Sequence, residues 1–360
     1  MSWSFRIGRI AGTEIKVHVT FLLLVAWYAW VAWLRGGAGA ALEGTMFLVA
    51  LFVCIVAHEF GHILMARRFG VRTPDVLLLP IGGVARLERI PEEPKQEFLI
   101  AVAGPLVTLG IAAALAGLIL ATGGAASLAM PPTGDAPFLP SLMWVNIGLL
   151  VFNLLPAFPM DGGRVFRALL ARKLGLTRAT EIAARVGQGL ALLLGLIGLV
   201  HNPMLVLIAA FIFLGAGAEA AMVQRRALGR GLTVADMMVT RFETLPLHAR
   251  LDRAVELLLA TEQREFPVVD NLGRVEGMLT RDDLIRGLST RGPGATVAES
   301  MTSPVKVVPT TVGFDEALDL IRMSRLPALP VVDASGALVG LLTLDNITDL
   351  LLVRGTRPPA

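Results

Sequence analysis

Charge is what this sequence has too little of. Asp, Glu, Lys and Arg make up 17% of its 360 residues, against about 25% in soluble globular chains. The apolar excess fills residues 17 to 222 and fades afterwards. That unevenness excludes one uniform soluble globule and points to a membrane half followed by a soluble half. Cysteine is nearly missing as well. A lone Cys54 excludes an internal disulfide framework and leaves no extracellular signature. The net charge of +3 comes without a basic stripe interleaved with aromatics, so nucleic acid is not an expected partner. The start lacks the form of a cleavable signal: about seventeen mixed residues precede a long Trp-rich run that reads as a retained span. Alternation through 4–17, with a turn at Gly12, predicts a short β-hairpin.

What is present in the first half is a series of apolar runs near 18–34, 45–66, 98–122, 141–157, 187–201 and 203–222, about six candidate spans by the 17 to 25 residues a span needs. Basic residues cluster in alternate connections. Arg6, Arg9 and Lys16 precede the first run; Arg67, Arg68, Arg72, Arg86, Arg89 and Lys95 follow the second. Arg164, Arg167, Arg172, Lys173, Arg178 and Arg185 follow the fourth, and Arg225, Arg226 and Arg230 the sixth. An even number of spans with both termini on the cytoplasmic side of the plasma membrane satisfies that alternation.

From about residue 231 the pattern turns to soluble βα units, and it repeats. "FPVVDNLGRVEGMLTRDDLI" at 266–285 aligns with "LPVVDASGALVGLLTLDNIT" at 329–348, an offset of 63. Each copy reads as an amphipathic helix, a buried strand, a glycine turn, a second strand and a helix, and two copies would bury their faces together. The expected division is a membrane domain over 1–225, a linker at 226–232, and repeats at 233–290 and 295–354.

Within the second apolar run stands "AHEFGH" (57–62), after twelve residues without charge. His58 and His62 lie four apart, so on a helix both imidazoles face one metal ion, and Glu59 beside them is placed to act as a base toward water. Structural histidines are the plain alternative, but ionisable groups at membrane depth are expensive and mark function by default. Zinc needs a third protein ligand. "NLLPAFPMDGGR" (153–164) offers Asp161 in a stretch broken by Pro156 and Pro159, where Asp161 either caps the next helix or completes the metal site. His62 lies five residues before Arg67, hence roughly 7 to 8 Å from that helix end at 1.5 Å per residue, with water within reach of the metal. His18 reads as an interfacial group or as a support for the ligands. Cys54, on the same helix face as His58, reads as a packing residue. The tryptophans, mostly at span ends, read as interfacial anchors.

"AHEFGH", "LPIGGVARL" (79–87), "AVAGP" (101–105) and "FNLLPAFPMDGGR" (152–164) occur in the order and spacing of the site-2 protease family, which the region 1–225 resembles. The repeat resembles a tandem pair of cystathionine-β-synthase-type (CBS) domains. The resemblance implies a polytopic α-helical membrane domain followed by a soluble α/β CBS pair. It implies one Zn2+ per chain on His58, His62 and Asp161, with Glu59 as the catalytic glutamate and Asn153 near the substrate carbonyl. Gly82 and Gly83 fall in a loop resembling a membrane-dipping element beside the active site, and the hairpin with 72–90 would form a sheet to which an unwound substrate adds a strand. Met160 departs mildly, standing where Leu is usual.

Thr280 with Asp283, and Thr343 with Asn346, stand one turn apart at helix starts, which fits plain N-capping. In the CBS domains they resemble, these positions hold the ribose of an adenine nucleotide, ATP or AMP, and such pairs pack on a second copy. The expected function is intramembrane zinc-dependent proteolysis of a transmembrane protein under nucleotide control. A CBS-regulated metal transporter or channel is the rival, and Glu59 separates them, because hydrolysis needs a base there and transport does not.

Overall fold

The computed structural model describes residues 3–80, 82–85, 93–128, 137–324 and 326–356. Arg86 and Arg89, counted in the second basic cluster, lie outside them. Two compact units divide between Val223 and Gln224, and each is treated by itself.

The first unit opens with β1 (Ser4–Ile10) and β2 (Thr13–His18), antiparallel around a turn at Ala11 and Gly12, both at positive φ. In β2, Thr13, Ile15 and Val17 are buried and alternate with half-buried Glu14, Lys16 and His18, the period of a strand with one covered face. β3 (Asp75–Leu79) joins β2 in parallel and β4 (Gly82–Ala85) joins β3 antiparallel, giving the order β1-β2-β3-β4. Ile15, Val17, Val76 and Leu78 pack on Phe21, Phe52 and Ile63 of α1 (Val19–Arg68). His18 caps that helix, its Nδ1 accepting from the Thr20 amide at 3.3 Å, so it serves helix initiation and takes no part in the metal cluster.

A continuous helix of the 50 residues assigned to α1 would run about 75 Å, more than twice the hydrocarbon thickness of about 30 Å. It is broken at Gly36 and Gly37, where Gly37 has φ +70, and so yields the first two runs separately. Arg67 and Arg68 close it. Arg67 also donates to Thr13 Oγ1 at 3.0 Å, tying the helix end to the sheet. There follow α2 (Pro94–Ala121), α3 (Phe138–Asn153), α4 (Asp161–Leu174), α5 (Leu176–His201) and α6 (Pro203–Gly229). α1, α2, α5 and α6 are long and apolar enough to cross a membrane, and α3 is a shorter apolar helix. Their outer faces carry large exposed apolar side chains, up to Val200 at 82%, as a lipid-facing surface requires.

The basic stretch 164–185 departs from expectation. It is mostly helix, forming α4 and the first turns of α5, which starts at Leu176 rather than 187. Charge density alone made it read as a connection. α4 instead buries one side, including Arg167 at 2% exposure, through an amphipathic pattern.

In the second unit, α7 (Val234–Met237), β5 (Leu245–Pro246), α8 (Leu251–Ala260), β6 (Glu265–Val269), β7 (Val275–Thr280) and α9 (Arg281–Arg291) form the first copy. β8 (Val308–Pro309), α10 (Phe314–Ser324), β9 (Ala328–Val332), β10 (Leu338–Thr343) and α11 (Leu344–Thr356) form the second. The sheets are β5-β6-β7 and β8-β9-β10. Met278, Ala328 and Leu341 are buried together where the copies meet. The lead segments are exchanged. Val239 bridges to Leu341 of the second sheet, and Thr302, 63 residues on, bridges to Met278 of the first. Leu232, Val234 and Met237 accordingly sit in the core with Val308, Phe314 and Leu342, while Val297 sits with Leu245, Leu251 and Phe266.

Candidate active site

The end of α1 delivers His58, Glu59 and His62 to a cavity of about 350 Å3, and the start of α4 delivers Asp161 to the same place. Nε2 of His58 lies 3.1 Å from Nε2 of His62, and Asp161 Oδ2 lies 3.1 Å from each. Four tetrahedral ligands at zinc bond lengths of about 2.0–2.1 Å stand roughly 3.3 Å apart, so this buried triangle is the size that a zinc ion needs. Among the described residues it is the one cluster of three metal-binding side chains with ligand atoms within 4.8 Å.

The opposite nitrogens are also committed. His62 Nδ1 donates to the Ile100 carbonyl at 2.7 Å, and His58 Nδ1 lies 2.8 Å from Thr108 Oγ1. With Nδ1 protonated, each Nε2 keeps its lone pair for a metal. Ile100, Gly104 and Thr108 are four apart and share one face of α2. The glycine of "AVAGP" sits between the two partners. A Cβ there would lie 2.2 Å from His62 Nε2, so the imidazoles occupy the room its missing side chain leaves. Sequence reasoning did not find Thr108 or the Ile100 carbonyl. The four-residue spacing around Gly104 was the available signal.

Asp161 is the first residue of α4, with Met160 in the capping position, and no side-chain cap bond forms. Its carboxylate turns to the histidines instead. Met160 is 5% exposed and packs with Ala157, Ala191 and Ile212, so the departure from Leu is absorbed by apolar packing.

Glu59 lines the cavity together with Cys54, Gly82, Gly83, Asn153 and Arg164. Gly82 and Gly83 are not in a loop. They form the edge strand β4, paired as Leu79↔Gly82 and Leu78↔Gly83, because the 75–79 strand has a bonding edge that they satisfy. A Cβ on Gly83 would lie 2.8 Å from Glu59 Cγ, so the strand passes close over the glutamate. Asn153 is the last residue of α3; Asn146, two turns earlier, lines the same cavity and donates to the Leu142 carbonyl at 2.8 Å. Arg164, read from sequence only as a topological charge, opens onto the cavity three residues after Asp161. Cys54 borders the cavity without joining the ligand cluster.

In the second unit, Thr280 caps α9 in a capping box. Its hydroxyl donates to Asp283 Oδ2 at 2.8 Å, and Thr302 donates to the same oxygen at 3.1 Å. In the other copy, Thr343 Oγ1 accepts from the Asn346 amide at 3.1 Å, and Asn346 Nδ2 donates to the Met237 carbonyl at 2.6 Å. The capping role is therefore realised in both copies, and the two side-chain pairs differ in their outer partners.

Residues 46–135 and 126–194 match the model for peptidase family M50, and 234–290 and 297–353 match the CBS domain. Over 348 residues the chain is 32% identical to "Zinc metalloprotease MJ0392" of Methanocaldococcus jannaschii, covering 96% of each chain. The chain belongs to peptidase family M50. It is also 31% identical over 378 residues to "Putative zinc metalloprotease Rip3" of Mycobacterium tuberculosis, covering 96% of this chain and 92% of that one. Among solved structures it is similar to the site-2 protease from Methanocaldococcus jannaschii at 37% identity. That match covers 61% of this chain and 95% of the other, with a TM-score of 0.45. As an M50 peptidase, the chain is a zinc metalloprotease of the site-2 protease type carrying a CBS pair.

Proposed function

We propose that this M50 peptidase hydrolyses a peptide bond in or near the transmembrane segment of a membrane protein, using one zinc ion held by His58, His62 and Asp161. Zinc bound there supplies a Lewis acid that acidifies water and polarises a carbonyl. Glu59 takes the proton from the attacking water and returns it to the departing amine. Asn153 donates to the carbonyl oxygen as it gains charge. The substrate lies extended along β4, the last strand in the order β1-β2-β3-β4 among the described residues. The missing side chain of Gly83 lets that strand, and a substrate paired with it, lie close to Glu59.

The observation that carries this reading is a carboxylate, Glu59, lining the cavity beside three convergent ligands without being one of them. A transport site gains little from it. Wild type and Glu59→Gln are to be compared in detergent with zinc and a membrane protein substrate. The variant should keep its zinc and lose cleavage. Retained cleavage would refute the assignment, and metal flux into liposomes without cleavage would favour a transporter.

The CBS pair binds ATP or AMP through Thr280 with Asp283 and Thr343 with Asn346, and this controls access to the protease. Asn346 lacks the charge of Asp283, so the two sites differ in affinity. The pair also offers a face for homodimerisation. Both termini lie on the cytoplasmic side of the plasma membrane, a reading supported by the basic residues before β2, at the end of α1 and at the end of α6. Calorimetry on residues 230–360 with each nucleotide tests the binding: absence of both heat and a thermal shift would end it.

A further inference from the structure

Arg167 takes no part in the chemistry above, yet it is among the largest fully buried side chains in the molecule. Its guanidinium donates three hydrogen bonds and stacks on a ring. Nε donates to Glu97 Oε1 at 2.8 Å and Nη2 donates to the same oxygen, while Nη1 donates to Glu219 Oε1 at 2.6 Å. The plane lies over the Phe158 ring, 4.9 Å from its centroid. One side chain of α4 thus grips α2, α6 and the turn that leads into Asp161.

Those grips fall next to the metal ligands. Glu97 is three residues before Ile100, whose carbonyl receives the Nδ1 proton of His62. Phe158 is three residues before Asp161, and Arg167 itself is six residues after it. The ligand triangle joins α1 to α4, and the His62 hydrogen bond joins α1 to α2. The Arg167–Glu97 pair closes the remaining side, α2 to α4. Buried ion pairs are weak evidence for stability, because desolvation offsets the attraction. Their best use is to fix geometry, and a planar fork that reaches two carboxylates and a ring does so as an ammonium cannot.

We propose that Arg167 is a positioning residue for the metal centre: through Glu97, Glu219 and Phe158 it fixes the separation of Asp161 from His62. The inference rests on the zinc reading of the cluster. The test uses the full chain in detergent, with zinc affinity measured by competition with a chromophoric chelator. The electronic spectrum of the cobalt(II)-substituted protein reports ligand geometry without reference to turnover. Arg167→Lys keeps the charge and loses the fork, and should lower zinc affinity by about 10- to 100-fold, the usual effect of disturbing groups that orient ligands, with a shifted cobalt band.

Glu219→Gln leaves the Arg167–Glu97 bonds in place and should give a smaller loss in the same direction. It decides the matter alone if Arg167→Lys does not fold. Wild-type zinc affinity and an unaltered cobalt spectrum in the folded variants, even with a lowered Tm, would reduce Arg167 to a structural role and overturn the proposal. Zinc affinity unmoved by Asp161→Ala would instead overturn the zinc reading, and the positioning role with it.

Discussion

Adding one methyl group at Gly104 tests the geometry of the site more sharply than deleting a ligand. The Cβ of Gly104→Ala would lie 2.2 Å from His62 Nε2, 2.5 Å from its Cε1 and 2.8 Å from His58 Nε2. Non-bonded heavy atoms settle at about 3.5 Å, so the His62 ring must retreat by roughly 1.3 Å. Zinc–nitrogen distances tolerate about 0.2 Å, and a misplacement of about 1 Å at a reacting centre costs on the order of 100-fold. The backbone itself gains, since Ala in a helix interior is about 0.5–1 kcal/mol better than Gly. The expected outcome is a folded protein whose zinc affinity falls by about 10- to 100-fold, with cleavage lost at ordinary zinc concentrations. Chelator competition and a cleavage assay across zinc concentrations measure both. Gly110→Ala on the same helix, where an added Cβ meets nothing within 4 Å, should behave as wild type. Wild-type zinc affinity in Gly104→Ala would refute the placement of both imidazoles against α2.

Gly83→Ala sets its Cβ 2.8 Å from Glu59 Cγ. It should leave zinc content unchanged and lower kcat by at least about tenfold, part of what a positioned base contributes; equal kcat would deny that β4 passes over the glutamate. In the CBS unit, burial raises the Glu265 carboxyl pKa, with Arg264 opposing and Asp345 adding to the rise. A raised carboxyl penalises the folded state above its folded pKa, and the penalty disappears as pH falls below the unfolded value. Glu265→Gln should therefore raise the Tm of that unit at about pH 8 and make no difference near pH 4. A calorimetric gain that persists in acid would contradict this cause.

Local patterns made much of the molecule readable in advance. Two histidines four apart after a run of twelve uncharged residues, an aspartate amid prolines and glycines, and a 63-residue offset are signals carried by spacing alone. Where spacing was silent, partners distant in the chain decide the outcome. Arg167 reads as one more basic residue until Glu97 and Glu219, 70 and 52 residues away, are seen beside it. Gly82 and Gly83 read as a loop because a glycine pair carries no strand preference, and only pairing with Leu78 and Leu79 makes them an edge. The run from 164 to 185 showed its charges but not its amphipathic face, since charge was used there to place connections. Thr108 lacked a motif of its own; its role follows from lying one turn beyond Gly104, against His58.

The reciprocal bridges Val239↔Leu341 and Met278↔Thr302 have a consequence for how the soluble half can be divided. Each copy carries, ahead of its own helix and strands, the segment that completes its neighbour. A chain cut between residues 292 and 296 therefore separates two incomplete pieces, each with a bare sheet edge and an apolar lead segment left without cover. Such a fragment regains its missing strand by trading segments with another copy of itself, a low-cost route to a dimer. The tandem arrangement is that dimer made permanent by a peptide connection. The two copies should accordingly melt as one body, and a destabilising change in either should be felt in both.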